Sequence, residues 1–262
     1  MTAFLEVLNL GLTLDGREIL HGISCSVPRG ECLGVIGPNG AGKSSLLRCL
    51  GQVHRRYSGD VLLEGASLRS LSGKQIARRI AWVPQGGTDS LPFTVRQFAL
   101  MSRYPWKEPF RGETTEDVRI VSRALRLAGM EPFAERPMDL LSGGERQRAL
   151  IAAALAQEAD ILFLDEPTSF LDYRHQVETV ELIGRIIRDE GRTVLLITHD
   201  INLALQCSDR ILALKGGRAL LQGRRDDFLN EELLSSIFET RFSFVPVPGG
   251  ALPHAVPRGD FR

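Results

Sequence analysis

Three short stretches of this chain hold residues whose types and spacing can do chemistry. The first is Gly37-Pro38-Asn39-Gly40-Ala41-Gly42-Lys43-Ser44, a glycine, four residues, then Gly-Lys-Ser. Its glycines let backbone N–H groups wrap a polyphosphate, and a helix starting there adds the positive end of its dipole. Lys43 can reach the terminal phosphates, and the Ser44 hydroxyl can ligate a divalent cation. The second is Asp165-Glu166, directly after the apolar run at 161–164. One carboxylate can hold the cation while its neighbour polarises a water for attack on a phosphate. A strand that merely ends in solvated acids fits the same pair. The third is His199, closing the apolar run at 194–197. It can hydrogen-bond a terminal phosphate and hold the attacking water, or serve structure alone. Gln85, after the run at 80–83, can complete a cation shell and by itself says little.

These residues need elements that present them at one edge. The run at 32–36 is short, apolar and uncharged, as expected of a strand buried on both faces, and 45–50 has helical spacing. Strand, Gly-rich turn and helix form the setting in which the first stretch can work. From 4 to 27 the pattern alternates loosely, which predicts β-strands with turns at Asp15-Gly16 and at 28–30, and 58–63 predicts another strand of that antiparallel layer. Residues 72–79 predict a helix. Thr94-Val95-Arg96-Gln97 fits a capping box. The segment 116–130 places Val118, Val121, Leu125 and Ala128 on one helix face. The sequence 211–221 reads as a hairpin turning at Gly216-Gly217. The fold class expected is α/β: a phosphate-loop core with an antiparallel β layer and a helical segment, about 88–156, inserted into it. From Val245 onward the Pro/Gly content predicts a tail with little fixed structure.

Charge and composition exclude some classes. Lys plus Arg equals Asp plus Glu at 32 each, so the net charge is zero and a broad nucleic-acid footprint is not expected. No stretch has the length and apolarity of a membrane-spanning helix, and the N-terminus lacks the pattern of a signal peptide. The four cysteines, Cys25, Cys32, Cys49 and Cys207, form no Cys-x-x-Cys pair and read as small buried apolar residues in a reducing cytosol.

A further stretch narrows the reading. Leu141-Ser142-Gly143-Gly144-Glu145 opens a helix at 149–156 with a second anion-friendly N-terminus, and two such ends in one chain suggest that they meet across a dimer. Here the chain resembles the ATP-binding cassette (ABC) ATPase family, over about residues 5–221. The order matches too: phosphate loop, Gln85, helical segment, Ser142–Glu145 signature, Asp165-Glu166, the loop Ser169-Phe170-Leu171-Asp172, then His199.

The resemblance implies an ABC ATPase domain at 1–240, followed by a C-terminal strand and Pro/Gly-rich tail at 241–262. It implies that Gly37, Pro38, Asn39, Gly40, Ala41, Gly42, Lys43, Ser44 and Ser45 bind the phosphates of ATP. Ser44, Gln85 and Asp165 would serve Mg²⁺, with Glu166 as general base and His199 as switch. Ser142, Gly143, Gly144 and Glu145 would contact the γ-phosphate of ATP held by the other subunit of a head-to-tail homodimer. The chain departs from the family at Leu14, which stands where an aromatic residue usually stacks on adenine. Phe170 likewise replaces a small residue in the dimer-contact loop.

Within the family, Arg103-Tyr104-Pro105-Trp106 resembles a segment of importers of iron–siderophores, haem and cobalamin, although these residues can equally pack a loop. The runs Asp172-Tyr173-Arg174-His175-Gln176 and Asp200-Ile201-Asn202-Leu203-Ala204 are similar to that group as well. The implied protein is a peripheral ATPase on the cytoplasmic face of the inner membrane, working with a separate permease and a substrate-binding protein. ATPase subunits for another substrate class or for export share the engine. Chromosome-maintenance cassettes need a long coiled coil between Lys43 and Ser142, and that interval has no sustained heptads. Ribosome-acting cassettes usually carry two copies per chain, and retention of Glu166 and His199 argues against a non-catalytic module.

Overall fold

The first strand, β1 (Leu5–Leu14), buries Leu5 and Val7 and then Leu10 and Leu12, so its inward face changes parity midway. Asn9 sits at that point with φ +50, and the register against β2 (Arg17–Val27) shifts between Val7 and Leu10. The extra residue of this bulge returns the apolar side chains to one face, which is why the sequence alternates only loosely. Asp15 (φ +48) and Gly16 (φ +75) make the left-handed two-residue turn expected between β1 and β2.

The computed structural model describes residues 3–86, 92–108, 112–250 and 252–259. The chain divides into two compact units, Met1–Ser70 with Thr193–Arg262, and Leu71–Arg192. The expected start of the helical segment at 88, and the last residues of the expected tail, lie outside the described residues. No helix among the described residues is long and apolar enough to cross a membrane.

In the first unit β1 and β2 are followed by β3 (Cys32–Ile36), α1 (Lys43–Leu50), β4 (Ser58–Leu63) and β5 (Ala66–Ser67). An antiparallel sheet runs in the order β2-β1-β4-β5. Every residue of β3 is buried, as its uncharged sequence requires.

The second unit begins with α2 (Gly73–Arg79), β6 (Ile80–Val83), α3 (Val95–Met101) and α4 (Thr115–Leu127). It continues through α5 (Gly143–Ala156), β7 (Ile161–Asp165) and α6 (Tyr173–Arg188). Helices α2, α3, α4 and α5 each open with a reciprocal capping box, Ser72/Gln75, Thr94/Gln97, Thr114/Asp117 and Ser142/Glu145. Strands β6 and β7 pair in parallel, Ile80 opposite Ile161 through Val83 opposite Leu164.

Helix α4 is shorter than the 116–130 expected and rotated from it. Of the face expected, Val121, Leu125 and Ala128 are buried and Val118 is 41% exposed, while Ile120 and Ala124 are buried in addition. The rotation follows from a buried ion pair. Arg103, which ends the α3 turn, donates from Nε to Asp117 Oδ1 at 3.0 Å, and its Nη1 reaches Ala156 O at 2.8 Å and Glu158 Oε2 at 3.0 Å. One guanidinium therefore ties the end of α3 to the start of α4 and the end of α5. Burial pushes the Asp117 carboxyl up, but hydrogen bonds from Arg103 and Thr114 outweigh it and hold the group below its usual range.

Replacing Arg103 by Met leaves that carboxylate buried without its charge partner, an expected loss of about 3–5 kcal/mol. The thermal midpoint should fall on the order of 10 °C at pH 7. A depressed carboxylate stabilises the fold fully above its unfolded pKa and loses that contribution as pH falls through the folded one. The midpoints of wild type and variant should therefore converge as pH drops below about 4. Equal midpoints at pH 7 would contradict the assignment.

The chain returns to the first unit with β8 (Thr193–Ile197), α7 (Ile201–Cys207), β9 (Arg210–Lys215) and β10 (Arg218–Arg224). There β3 lies between parallel neighbours β8 and β9, and β9 turns into β10 through Gly216 (φ +54) and Gly217 (φ +72). After α8 (Glu231–Phe238), β11 (Arg241–Val245) pairs with β12 (His254–Arg258). Beyond Val245, residues His254–Arg258 thus form the second strand of a hairpin where little fixed structure is expected. Ala255 of β12, 2% exposed, packs in a core with Ile201, Ala204, Leu205, Leu234 and Ile237. Cys32, Cys49 and Cys207 are buried and Cys25 half-buried, none in a disulfide. Burial pushes the Cys25 thiol up to about 12 and that of Cys49 to about 11, so both stay protonated and unreactive.

Candidate functional site

In the first unit the phosphate-loop residues form one cradle at the carboxyl end of β3. Gly37, at φ +151, cannot be replaced: a Cβ there would lie 2.1 Å from the Leu214 carbonyl oxygen. Gly42, at φ +97 and ψ 4, is the N-cap of α1, and no side chain caps that end. The first N–H groups of α1, on Ser44 and Ser45, thus face the loop without a side-chain cap. Lys43 is only 7% exposed, and its Nζ donates to Gly37 O at 2.7 Å and Pro38 O at 3.1 Å. The ammonium is therefore held over the concave side of Gly37–Gly42 by the loop's own carbonyls. Ala41 is buried, Pro38 is half-buried, and Asn39 and Gly40 are exposed at the tip. The loop is fixed from below, Gly217 N donating to Ala41 O at 3.2 Å and His21 N to Gly217 O at 2.8 Å. A donor cradle that a Cβ would fill, with a cation inside it, fits a polyphosphate.

Two more expected residues belong to this unit. Leu14, half-buried, ends β1 opposite Arg17. His199 is exposed, directly after Thr198, whose backbone N donates to Val35 O of β3 at 3.1 Å.

The second unit collects the remainder. Because Val83 pairs with Leu164, Gln85 and Glu166 each lie two residues past that pair, at the carboxyl edge of the β6–β7 pair. Gln85 is exposed, whereas Asp165 and Glu166 are 5% and 8% exposed. Glu166 adopts φ +50, a left-handed conformation that costs a non-glycine residue about 1 kcal/mol or more. Ser169 holds it there, donating from Oγ to Glu166 Oε2 at 3.1 Å and from its backbone N to Glu166 O at 3.1 Å.

The signature helix differs from α1 in being capped. Glu145 N donates to Ser142 Oγ at 3.3 Å, and Ser142 N donates to Glu145 Oε2 at 2.8 Å. That backbone N–H holds the Glu145 carboxyl below its usual range. The Ser142 hydroxyl proton and the N–H groups of Gly143 and Gly144 are what this end can offer an anion.

Sequence reasoning missed two links here, that of Ser169 to Glu166 and that of His175 to Gly144. A Cβ on Gly144 would fall 2.1 Å from the His175 ring. His175 Nδ1 lies 2.8 Å from Asp172 Oδ1, the N-cap of α6, and His175 N donates to the same oxygen at 2.9 Å. Gly144 and the loop 169–172 are thus joined through one imidazole. The Asp-x-x-His spacing of an N-cap was the available signal. A cavity of about 300 Å³ runs beside them, lined by Gly86, Leu141, Gly143, Ser169 and Leu171. At its rim Phe170, with φ +64, is 90% exposed. Tyr173, the first residue of α6, is 87% exposed.

The importer-like segment divides its work. Arg103 and Pro105 are buried, and Trp106 Nε1 donates to Gln157 O at 2.6 Å, while Tyr104 is 73% exposed and Trp106 40% exposed. Packing explains half of the segment and leaves two aromatic side chains on the surface.

The family model described as ABC transporter matches residues 20–169. The petrobactin import ATP-binding protein FpuD of Bacillus anthracis is 37% identical over 262 residues, spanning 100% of this chain and 96% of that protein. A metal-chelate type ABC transporter solved in an inward-facing conformation superposes with a TM-score of 0.86 at 27% identity, covering 99% of both chains. A dimeric ATP-binding cassette in a post-hydrolysis state, bound to ADP and Pi, superposes with a TM-score of 0.72 at 26% identity, covering 84% of this chain and 98% of that one.

Proposed function

The chain belongs to the ABC transporter family, and from that premise we propose that it is the ATP-hydrolysing subunit of a metal-chelate importer, working beneath a separate membrane permease. The observation that carries the cargo class is the end-to-end similarity to an import ATP-binding protein for a siderophore, joined to the superposition on a metal-chelate type transporter. The cargo is an iron–siderophore, haem or cobalamin type of chelate.

In this reading the ATPase domain covers 1–240, with the helical segment 88–156 inserted. The cradle from Gly37 to Ser45 binds the phosphates of ATP, with Lys43 on the terminal ones and Leu14 giving the adenine an aliphatic contact. Ser44, Gln85 and Asp165 offer hydroxyl, amide and carboxylate oxygens, the hard donors that Mg²⁺ takes. When bound, such an ion would neutralise negative charge on the phosphates. Glu166 takes the proton of the attacking water, and His199 bonds the γ-phosphate and signals its presence. Ser142 to Glu145 of a second copy close on that phosphate, so two chains sandwich two nucleotides head to tail. The exposed Phe170 and Tyr173, beside the loop that carries Ser169, support such a contact.

Exposed Tyr104 and Trp106 support a permease surface on the helical segment. The protein then sits peripherally on the cytoplasmic face of the inner membrane, and a substrate-binding protein delivers the chelate from the other side.

Reconstitution with the co-purified permease tests the cargo class. Ferric siderophores, haem or cobalamin should stimulate ATP turnover, and maximal stimulation by a sugar or peptide with none by any chelate would refute it. The signature makes a second expectation. Gly144→Ala drives a methyl group into the His175 ring, so turnover should fall at least about tenfold, 1.4 kcal/mol of barrier, with ATP affinity of the isolated chain unchanged. Turnover equal to wild type would remove Gly144 from the account.

A further inference from the structure

The segment after His199 is fixed by a chain of hydrogen bonds that leads away from the phosphate cradle. Asp200 N donates to Thr198 Oγ1 at 3.0 Å, and the Asp200 side chain caps α7, accepting from Asn202 N at 2.8 Å and Leu203 N at 3.3 Å. The Asn202 side chain then turns outward to β12. Its Nδ2 donates to Ala255 O at 3.0 Å, and its Oδ1 accepts from Ala255 N at 2.8 Å. One amide thus satisfies both backbone groups of a hairpin residue, as a neighbouring strand would.

The hairpin it grips is not a loose appendage. Ala255 is 2% exposed in the core that also holds Ile36, the residue before the phosphate loop, and Ile201, the residue before Asn202. Phe242 and Phe244 of β11 pack against the same core, and their backbone N–H groups donate to Ser235 Oγ at 3.2 Å and Glu231 Oε1 at 2.9 Å of α8. The β11–β12 hairpin is therefore anchored on its own side; α7 packs Ile201, Ala204 and Leu205 in the core that holds Ala255, and the Asn202 amide adds a directional clamp to that packing.

We propose that Asn202 is a positioning residue for His199, and that the C-terminal hairpin is the abutment it works against. This rests on the reading of His199 as the residue that contacts the γ-phosphate. With the amide clamp in place, the first turn of α7 and the 198–200 segment have one arrangement, and the imidazole is presented to the nucleotide without a search. Without it, α7 keeps its Asp200 cap but can shift against the hairpin, and His199 spends less time in the productive position.

The test is Asn202→Leu, similar in size but unable to make either hydrogen bond, in the full-length protein. Its kcat for ATP should fall about tenfold, with KM changed less than about twofold, because the clamp acts on chemistry rather than on phosphate binding. In proton–carbon NMR spectra of the histidine rings, the His199 signal should shift and broaden, with those of His21, His54 and His175 unmoved. Asn202→Asp, which keeps the acceptor and loses the donor, should show the same changes in smaller degree and stands in if the leucine variant does not fold. An unshifted His199 signal in a folded variant overturns the proposal, as does loss of kcat and KM in parallel with the thermal midpoint. His199→Ala with full turnover would instead overturn the role given to His199. Positioning by Asn202 would then stand or fall on the ring signal alone.

Discussion

Glu166→Gln should turn over ATP about 10²–10⁴ times more slowly than the wild type while binding it as tightly, the size expected for loss of a general base. The substitution keeps the volume of a side chain that is 8% exposed, so the fold has no cavity to answer for. It also keeps an oxygen that can accept from Ser169 Oγ, 3.1 Å away in the present arrangement. What it removes is the proposed proton acceptor. The left-handed backbone at Glu166, φ +50, sets the carboxylate at the turn into the 169–172 loop. Glu166 and that loop are therefore linked through Ser169, and a rearrangement of the loop on the proposed dimer closure should reach the carboxylate by that link. Steady-state turnover and equilibrium titration on the same preparation separate the two effects. A variant with normal turnover would remove Glu166 from the chemistry.

Lys43→Ala should act one step earlier, on binding. The ammonium is enclosed, with Nζ donating to the carbonyl oxygens of Gly37 and Pro38 at 2.7 and 3.1 Å. In the proposed function it is the cation that meets the terminal phosphates. Charged hydrogen bonds contribute about 1.5–3 kcal/mol each, so losing one or two contacts to phosphate weakens ATP about 10–100-fold or more. Isothermal titration reads this directly. Unchanged affinity would mean that the loop binds nucleotide through its N–H groups alone.

Much of this was legible in the residues because local and tertiary demands agree there. The buried strand before the phosphate loop, the Asp15-Gly16 and Gly216-Gly217 turns and the Thr94/Gln97 cap each follow from local chemistry, and the structure has them. The boxes at Ser72, Thr114 and Ser142 carry the same spacing and could have been read alike. Where local signals were weak the reading failed. The phase of α4 is set by Asp117 turning inward to Arg103, and no periodicity argument contains that partner. Strand β12 was hidden by its Pro/Gly surroundings, since its burial depends on α7 and on the Asn202 amide. The links of Ser169 and His175 were overlooked because each reaches a residue that the pattern had already assigned, Glu166 and Gly144.

In the proposed function each ATP site is completed by a second copy of this chain. Light scattering of the Glu166→Gln protein with Mg²⁺ and ATP tests it most directly. From a single chain of 28.9 kDa, a species of twice that mass holding one nucleotide per chain is expected. The species should not form with ADP, nor with ATP when Ser142 is also replaced by Arg. A particle that stays at the mass of one chain while ATP is bound to saturation would contradict it.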